Sequence, residues 1–143
     1  MGMNAIRRCL SVVVVLSAAC AQPPASTSLT RPDAFPAKLL SFSGTLQPKG
    51  LVSYPFTAAQ AGEVEVTLLD VALVGSSSPV TVGLGIGTAS TGGACLVTDA
   101  VNTQGGPRAQ LIGTGQAGTL CISIFDVGYL TGPALYSITV AAP

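Results

Sequence analysis

The stretch from Gly118 to Val140, GTLCISIFDVGYLTGPALYSITV, limits the possible folds more than any other part of the chain. Leu120, Ile122 and Ile124 alternate with Cys121, Ser123 and Phe125. Further on, Tyr136, Ile138 and Val140 alternate with Ser137 and Thr139, and Leu135 stands beside them. A repeat of two is the signature of a half-buried strand, because successive side chains leave opposite faces. Gly128, Gly132 and Pro133 supply turn chemistry between the two runs. The segment therefore predicts a hairpin, with the rest of the chain adding strands to it.

Upstream, strand and turn signals alternate from about Leu39. Leu39 to Leu46 reads as a strand, and Gln47-Pro48-Lys49-Gly50 as a turn with proline in its first central place. Leu51 to Thr57 follows, with Tyr54 and Phe56 on one face. Pro55 within it marks an edge or a bulge, since proline has no amide to give to a ladder. Glu63 to Val71 alternates cleanly and puts Glu63, Glu65 and Thr67 on an outer face. These two carboxylates read as a solvated surface, because no nucleophile accompanies them. Val80 to Thr88 sets Val82, Leu84 and Ile86 against Gly83, Gly85 and Gly87. A row of glycines on one face predicts a close-lying loop or aromatic ring. Its spacing is not that of a dinucleotide fingerprint, and no helix pattern follows. Ala89 to Gly106 is irregular, with a short strand expected around Cys95 to Thr98, and Ala109 to Gly113 forms another. The expected fold is all-β: an antiparallel two-sheet β-sandwich, jelly-roll-like, with about eight strands over residues 38–143.

Composition agrees with that class. Charged residues make up 8% of the 143 residues and hydrophobic ones 48%, whereas exposed helix faces usually carry many Glu and Lys. There is no histidine, which removes Ser-His-Asp and Cys-His catalysis and every imidazole metal site. The formal net charge is zero, and no basic run supplies a nucleic-acid footprint. No catalytic, cofactor-binding or metal site is expected. The loop residues Asp99, Asn102 and Arg108 are the polar groups an enzyme or an enzyme inhibitor would use; turn satisfaction is the plainer role for them. Lys38 and Lys49, the lysines that could activate a serine, sit near polar turns.

The N-terminus reads as an export signal over residues 1–21. Arg7 and Arg8 precede the short apolar run Cys9 to Ala19, too short to span a bilayer. Leu16-Ser17-Ala18-Ala19-Cys20 resembles the lipobox of bacterial lipoproteins, in which the cysteine is acylated and becomes the new N-terminus. Ser17 stands where that family usually has leucine. Ordinary cleavage after Ala19-Cys20-Ala21 is the competing scheme, leaving Gln22 first. Lipidation of Cys20 is preferred, because a lone cysteine ending the apolar run is otherwise oddly placed. Residues 22–37, rich in Pro, Ser and Thr, read as a flexible linker. Cys95 and Cys121 then remain in the mature domain, and an even pair in an exported domain predicts a disulfide. It would close a loop of about 27 residues, worth roughly 3.5 kcal/mol in the chain-entropy model.

Ser43-Gly44-Thr45-Leu46 with Tyr54-Pro55-Phe56-Thr57, then Gly62 to Leu68, then Gly118 to Ile124 with Tyr136 to Val140, together resemble the bacterial pre-peptidase C-terminal (PPC) type of β-sandwich. The resemblance implies an accessory module beside enzymes. Some members of that family bind calcium through an acidic strand. The matching stretch here, Val80 to Ile86, holds no carboxylate, and Asp70, Asp99 and Asp126 are dispersed, so no calcium site is carried over. The function expected is that of an exported, non-enzymatic lipoprotein of the bacterial envelope, serving as a binding or structural module. A secreted accessory domain or an inhibitor of an extracellular enzyme is the alternative. The partner would be a protein or envelope component, with the membrane reached through the Cys20 anchor. The location would be the outer membrane or cell surface, or alternatively the periplasm or medium.

Overall fold

A computed structural model of the chain describes residues 37–143. The signal segment with Cys20, and the linker as far as residue 36, lie outside the described residues. Eight strands follow one another: β1 (Lys38–Leu46), β2 (Leu51–Ala58), β3 (Gly62–Leu73), β4 (Val82–Ala89), β5 (Cys95–Thr103), β6 (Leu111–Gly115), β7 (Gly118–Phe125) and β8 (Ala134–Ala142). They form two four-stranded sheets, ordered β1-β8-β3-β6 and β2-β7-β4-β5, and every strand pairing is antiparallel. This wiring, in which all consecutive strands except β4 and β5 lie in opposite sheets, is that of a jelly roll.

The predicted hairpin is not formed. β7 lies between β2 and β4 in one sheet, and β8 lies between β1 and β3 in the other. The alternation was real, with Leu120, Ile122 and Ile124 buried on β7 and Tyr136, Ile138 and Val140 buried on β8. Two strands that each carry an apolar face can bury it as neighbours in one sheet or from opposite sides of the core, so the alternation is satisfied by either arrangement. The segment Asp126 to Pro133 carries the chain from one sheet to the other. Other bounds also move. The short strand expected at Cys95 to Thr98 is nine residues long, Cys95–Thr103. The strand expected at Ala109 to Gly113 is Leu111–Gly115, because Gln110 belongs to the loop before it. Its side-chain oxygen accepts the Leu68 amide at 2.6 Å, and its Nε2 donates to the Arg108 carbonyl at 2.6 Å. That amide lies beside the bulge between Leu68 and Asp70 on β3.

The core follows from the alternation. Leu46, Val64, Val66, Leu68 and Val71 from one sheet meet Val82, Leu84, Ile122 and Ile124 from the other, all fully buried. Each such side chain contributes roughly 1.5–3 kcal/mol by leaving water. The glycine row on β4 is covered as expected. The Phe125 ring lies over Gly83, the Val97 side chain over Gly85, and the main-chain carbonyl of Leu96 over Gly87. Pro55 sits on β2, an edge strand, where the missing amide costs the ladder nothing.

Candidate functional site

The two seams of the sandwich differ. At the β1/β2 seam three aromatic rings fill the space between the sheets. Phe42 stacks on Tyr54 with ring centres 4.7 Å apart, and Tyr54 meets Tyr136 edge-on at 6.5 Å. The two tyrosine hydroxyls are 2.7 Å apart, and Tyr54 donates to the Ser43 carbonyl at 3.3 Å. Burial, together with the Tyr54 hydroxyl, pushes the Tyr136 phenol above its ordinary range.

At the β5/β6 seam the space stays open. The inward positions of β6 after Leu111 are Gly113 and Gly115, and a side chain at Gly113 would meet nothing within 4 Å. The result is a cleft of about 390 Å³ bordered by Ile86, Thr88, Thr98, Asp99, Thr114 and Gln116, with Leu120 at its back. That volume is at the low end for ligand pockets. Asp99 is the one charged residue among those bordering it.

Asp99 faces the cleft because of a bulge. Val97 pairs with Gly87 and so shares the outer face. Two residues further along a regular strand, Asp99 would also point outward. The register shifts between Ile86 and Gly87, leaving Thr98 as the extra residue, and Asp99 pairs with Ile86, whose side chain faces the core. The Thr98 hydroxyl donates to the Ile86 carbonyl at 3.2 Å and holds the bulge. Bulges on edge strands commonly serve to re-aim one side chain. Beside the cleft, Leu96 is 60% exposed and Val97 41% exposed, so the open edge carries apolar surface next to its one carboxylate.

The disulfide is present: Cys95 and Cys121 are joined, with Cα atoms 5.7 Å apart. It ties the start of β5 to β7 across the outer face of β4, at the end of β5 next to the cleft. A disulfide-bonded domain belongs to an oxidising compartment. The three polar residues named from the sequence are not brought together. Asp99 borders the cleft, Asn102 pairs with Gly83 on the opposite face of β5, and Arg108 lies in the loop beyond Thr103. Lys38 begins β1 and Lys49 sits in the β1–β2 turn. Glu63 and Glu65 are exposed. Thr98, Gly113, Thr114 and Gln116 did not stand out in the sequence; the alternation of Gly113 and Gly115 was the one available sign of a hollow inner face.

Asp126 performs a different task. Its Oδ1 accepts the amides of Gly128, Tyr129 and Leu130 at 2.8, 3.1 and 3.2 Å, and its Oδ2 accepts the Lys49 amide at 2.8 Å. The Lys49 amide, with help from the other three, holds this carboxyl below the usual range against some desolvation. Lys49 itself has a left-handed φ of 60°, so the cap also fixes a turn residue whose backbone is disfavoured for a side chain with a Cβ.

No protein-family model matches the chain, and no curated protein sequence matches it. Among solved structures, it is similar to the crystal structure of Aeromonas hydrophila PliG, a periplasmic lysozyme inhibitor of g-type lysozyme, with a TM-score of 0.44 and 16% identity over 73% of this chain and 86% of that one.

Proposed function

We propose that this chain is an exported, non-enzymatic binding module of the bacterial envelope, anchored through acylated Cys20, and that the cleft at the β5/β6 seam is where it holds its partner. The observation that carries this reading is the Thr98 bulge, which turns a single carboxylate into an otherwise uncharged cleft. One carboxylate among hydroxyls and glycine backbone can orient a ligand. Turnover would call for a base and nucleophile set within reach of each other. The PPC-type resemblance, a family of accessory modules, supports the same reading. The chain enters the domain at Lys38, at the end of the sandwich that also carries the cleft, since Lys38 pairs with Ala142 and Gly62 with Gly115.

The test compares the native protein with a Gly113→Leu variant, whose side chain would project into the cleft from a position where a Cβ meets nothing within 4 Å. Cross-linking in intact envelopes should give a defined partner with the native protein and lose it with the variant. A partner captured equally by both would reject the cleft as the binding site. Intact mass of the membrane-extracted protein tests the anchor, and a chain starting at Gln22 would end that part of the proposal.

A further inference from the structure

The binding-module reading leaves the ligand open, and the geometry around Asp99 narrows it. Of the four sheet edges, β1 opens on a lysine, Lys38, β2 is interrupted by Pro55, and β6 has only five residues. β5 is nine residues long and carries no proline and no lysine, two residues that blunt an edge, although the Thr98 bulge and the inward-turned Asp99 interrupt it at its middle. Its inner row continues Ile86 through Asp99, so a strand added beside β5 would set one side chain directly opposite Asp99, over the cleft mouth. That side chain would meet a carboxylate, the Thr88 hydroxyl, and open space above Gly113. The complement of that set is a long cationic side chain. Its neighbours along the same strand would lie against exposed Leu96 and Val97.

We infer that the β5 edge takes an extended segment of a partner protein, pairing main chain to main chain, with a lysine or arginine of that segment reaching into the cleft toward Asp99. This rests on the binding-module reading above. Main-chain pairing gives such a contact its affinity, and the pocket for one side chain gives it selectivity. A second copy of this chain is a poor occupant. Two β5 strands paired antiparallel about their centres would bring Asp99 close to Asp99, and like charges opposed across a ladder repel.

The test uses a random peptide display library panned against the oxidised full-length protein. The expected result is enrichment of β-prone peptides with a basic residue at one fixed place, flanked by apolar ones. Asp99→Asn should weaken the selected peptides by about tenfold or more, and Gly113→Leu should abolish binding. Both variants should keep the native melting temperature or exceed it. Hydrogen exchange should slow across Leu96 to Asn102 on binding. Enriched peptides that lack a basic residue, or that bind Asp99→Asn as well as the native protein, would overturn the inference. If they still fail on Gly113→Leu, the cleft remains the binding site. A library yielding no binder also overturns it, and the envelope cross-linking then judges the cleft separately. If Asp99→Asn instead self-associates in size-exclusion chromatography with peptide binding unchanged, the carboxylate guards the edge against pairing, and the inference fails.

Discussion

Two glycines on facing parts of the seam make opposite demands, and an alanine at each measures the difference. At Gly87 a Cβ would fall on the main-chain carbonyl of Leu96. No side chain can rotate away, so β5 must move from β4, against the disulfide that holds its first residue. Overpacking costs about 1–3 kcal/mol, and a backbone obstacle puts Gly87→Ala at the top of that range. For a domain of this size roughly 4 °C of melting temperature accompany each kcal/mol, so the expected fall is about 12 °C. At Gly113 the same Cβ meets nothing. Strand glycine is about 0.5–1 kcal/mol worse than alanine, so Gly113→Ala should melt roughly 2–4 °C higher. Gly83→Ala should fall between them, because its obstacle is the Phe125 ring, which is only half-buried and can swing outward. The assay is calorimetry on the three oxidised variants. Equal losses at Gly87 and Gly113, or a harmless Gly87→Ala, would refute the packing of β5 over β4 and the openness of the cleft together.

Replacing Cys95 and Cys121 together by alanine should cost roughly 3.5 kcal/mol, read from urea midpoints, and should raise hydrogen exchange first in β5. Asp126→Asn should lower stability at neutral pH and flatten the acid limb. The native carboxyl is held below its unfolded value, so its contribution is complete above that value, about pH 4, and is lost as pH falls through the lower folded one; native and variant urea midpoints should converge in acid. Tyr136→Phe should cost about 1 kcal/mol by removing the bond to Tyr54. It should also remove the late-titrating phenol from an alkaline absorbance titration. In the native protein that raised phenol gives stability that is complete below about pH 10 and lost as pH rises beyond it.

What the sequence made legible is what period two encodes: the side of a strand on which each residue lies. The inward sets of β3, β4, β7 and β8 were readable for that reason, as was the covered glycine face of β4. The pairing of Cys95 with Cys121 followed from the export signal and the count of cysteines. Alternation does not say which sheet a strand joins. Leu120 to Ile124 and Tyr136 to Val140 carry equivalent patterns, which a hairpin and a crossover between sheets would bury equally well. The cleft was hidden for a different reason. Thr98-Asp99-Ala100 shows no alternation, so the inserted residue that turns Asp99 inward left no trace in the pattern. Gly113 was visible as a glycine, but whether an alanine would clash or float there depends on a sheet that meets it only in three dimensions. Asp126 with Gly128 is an Asx-turn signal that local reading could have recognised, whereas its reach to Lys49 could not be seen from either segment alone.

The placement of β7 and β8 bears on how the chain acquires its shape. Each is the only strand that joins an edge to the rest of its sheet: β1 reaches β3 through β8, and β2 reaches β4 through β7. A nascent chain that stops before Gly118 holds two isolated strand pairs, β3 with β6 and β4 with β5, and no closed core. Assembly therefore waits for the sequence beyond Gly118 and then proceeds through contacts between remote parts of the chain, a slow kind of folding. A polypeptide threaded through a membrane pore N-terminus first would stay loose until its final fifth or so emerged, and would compact on the far side.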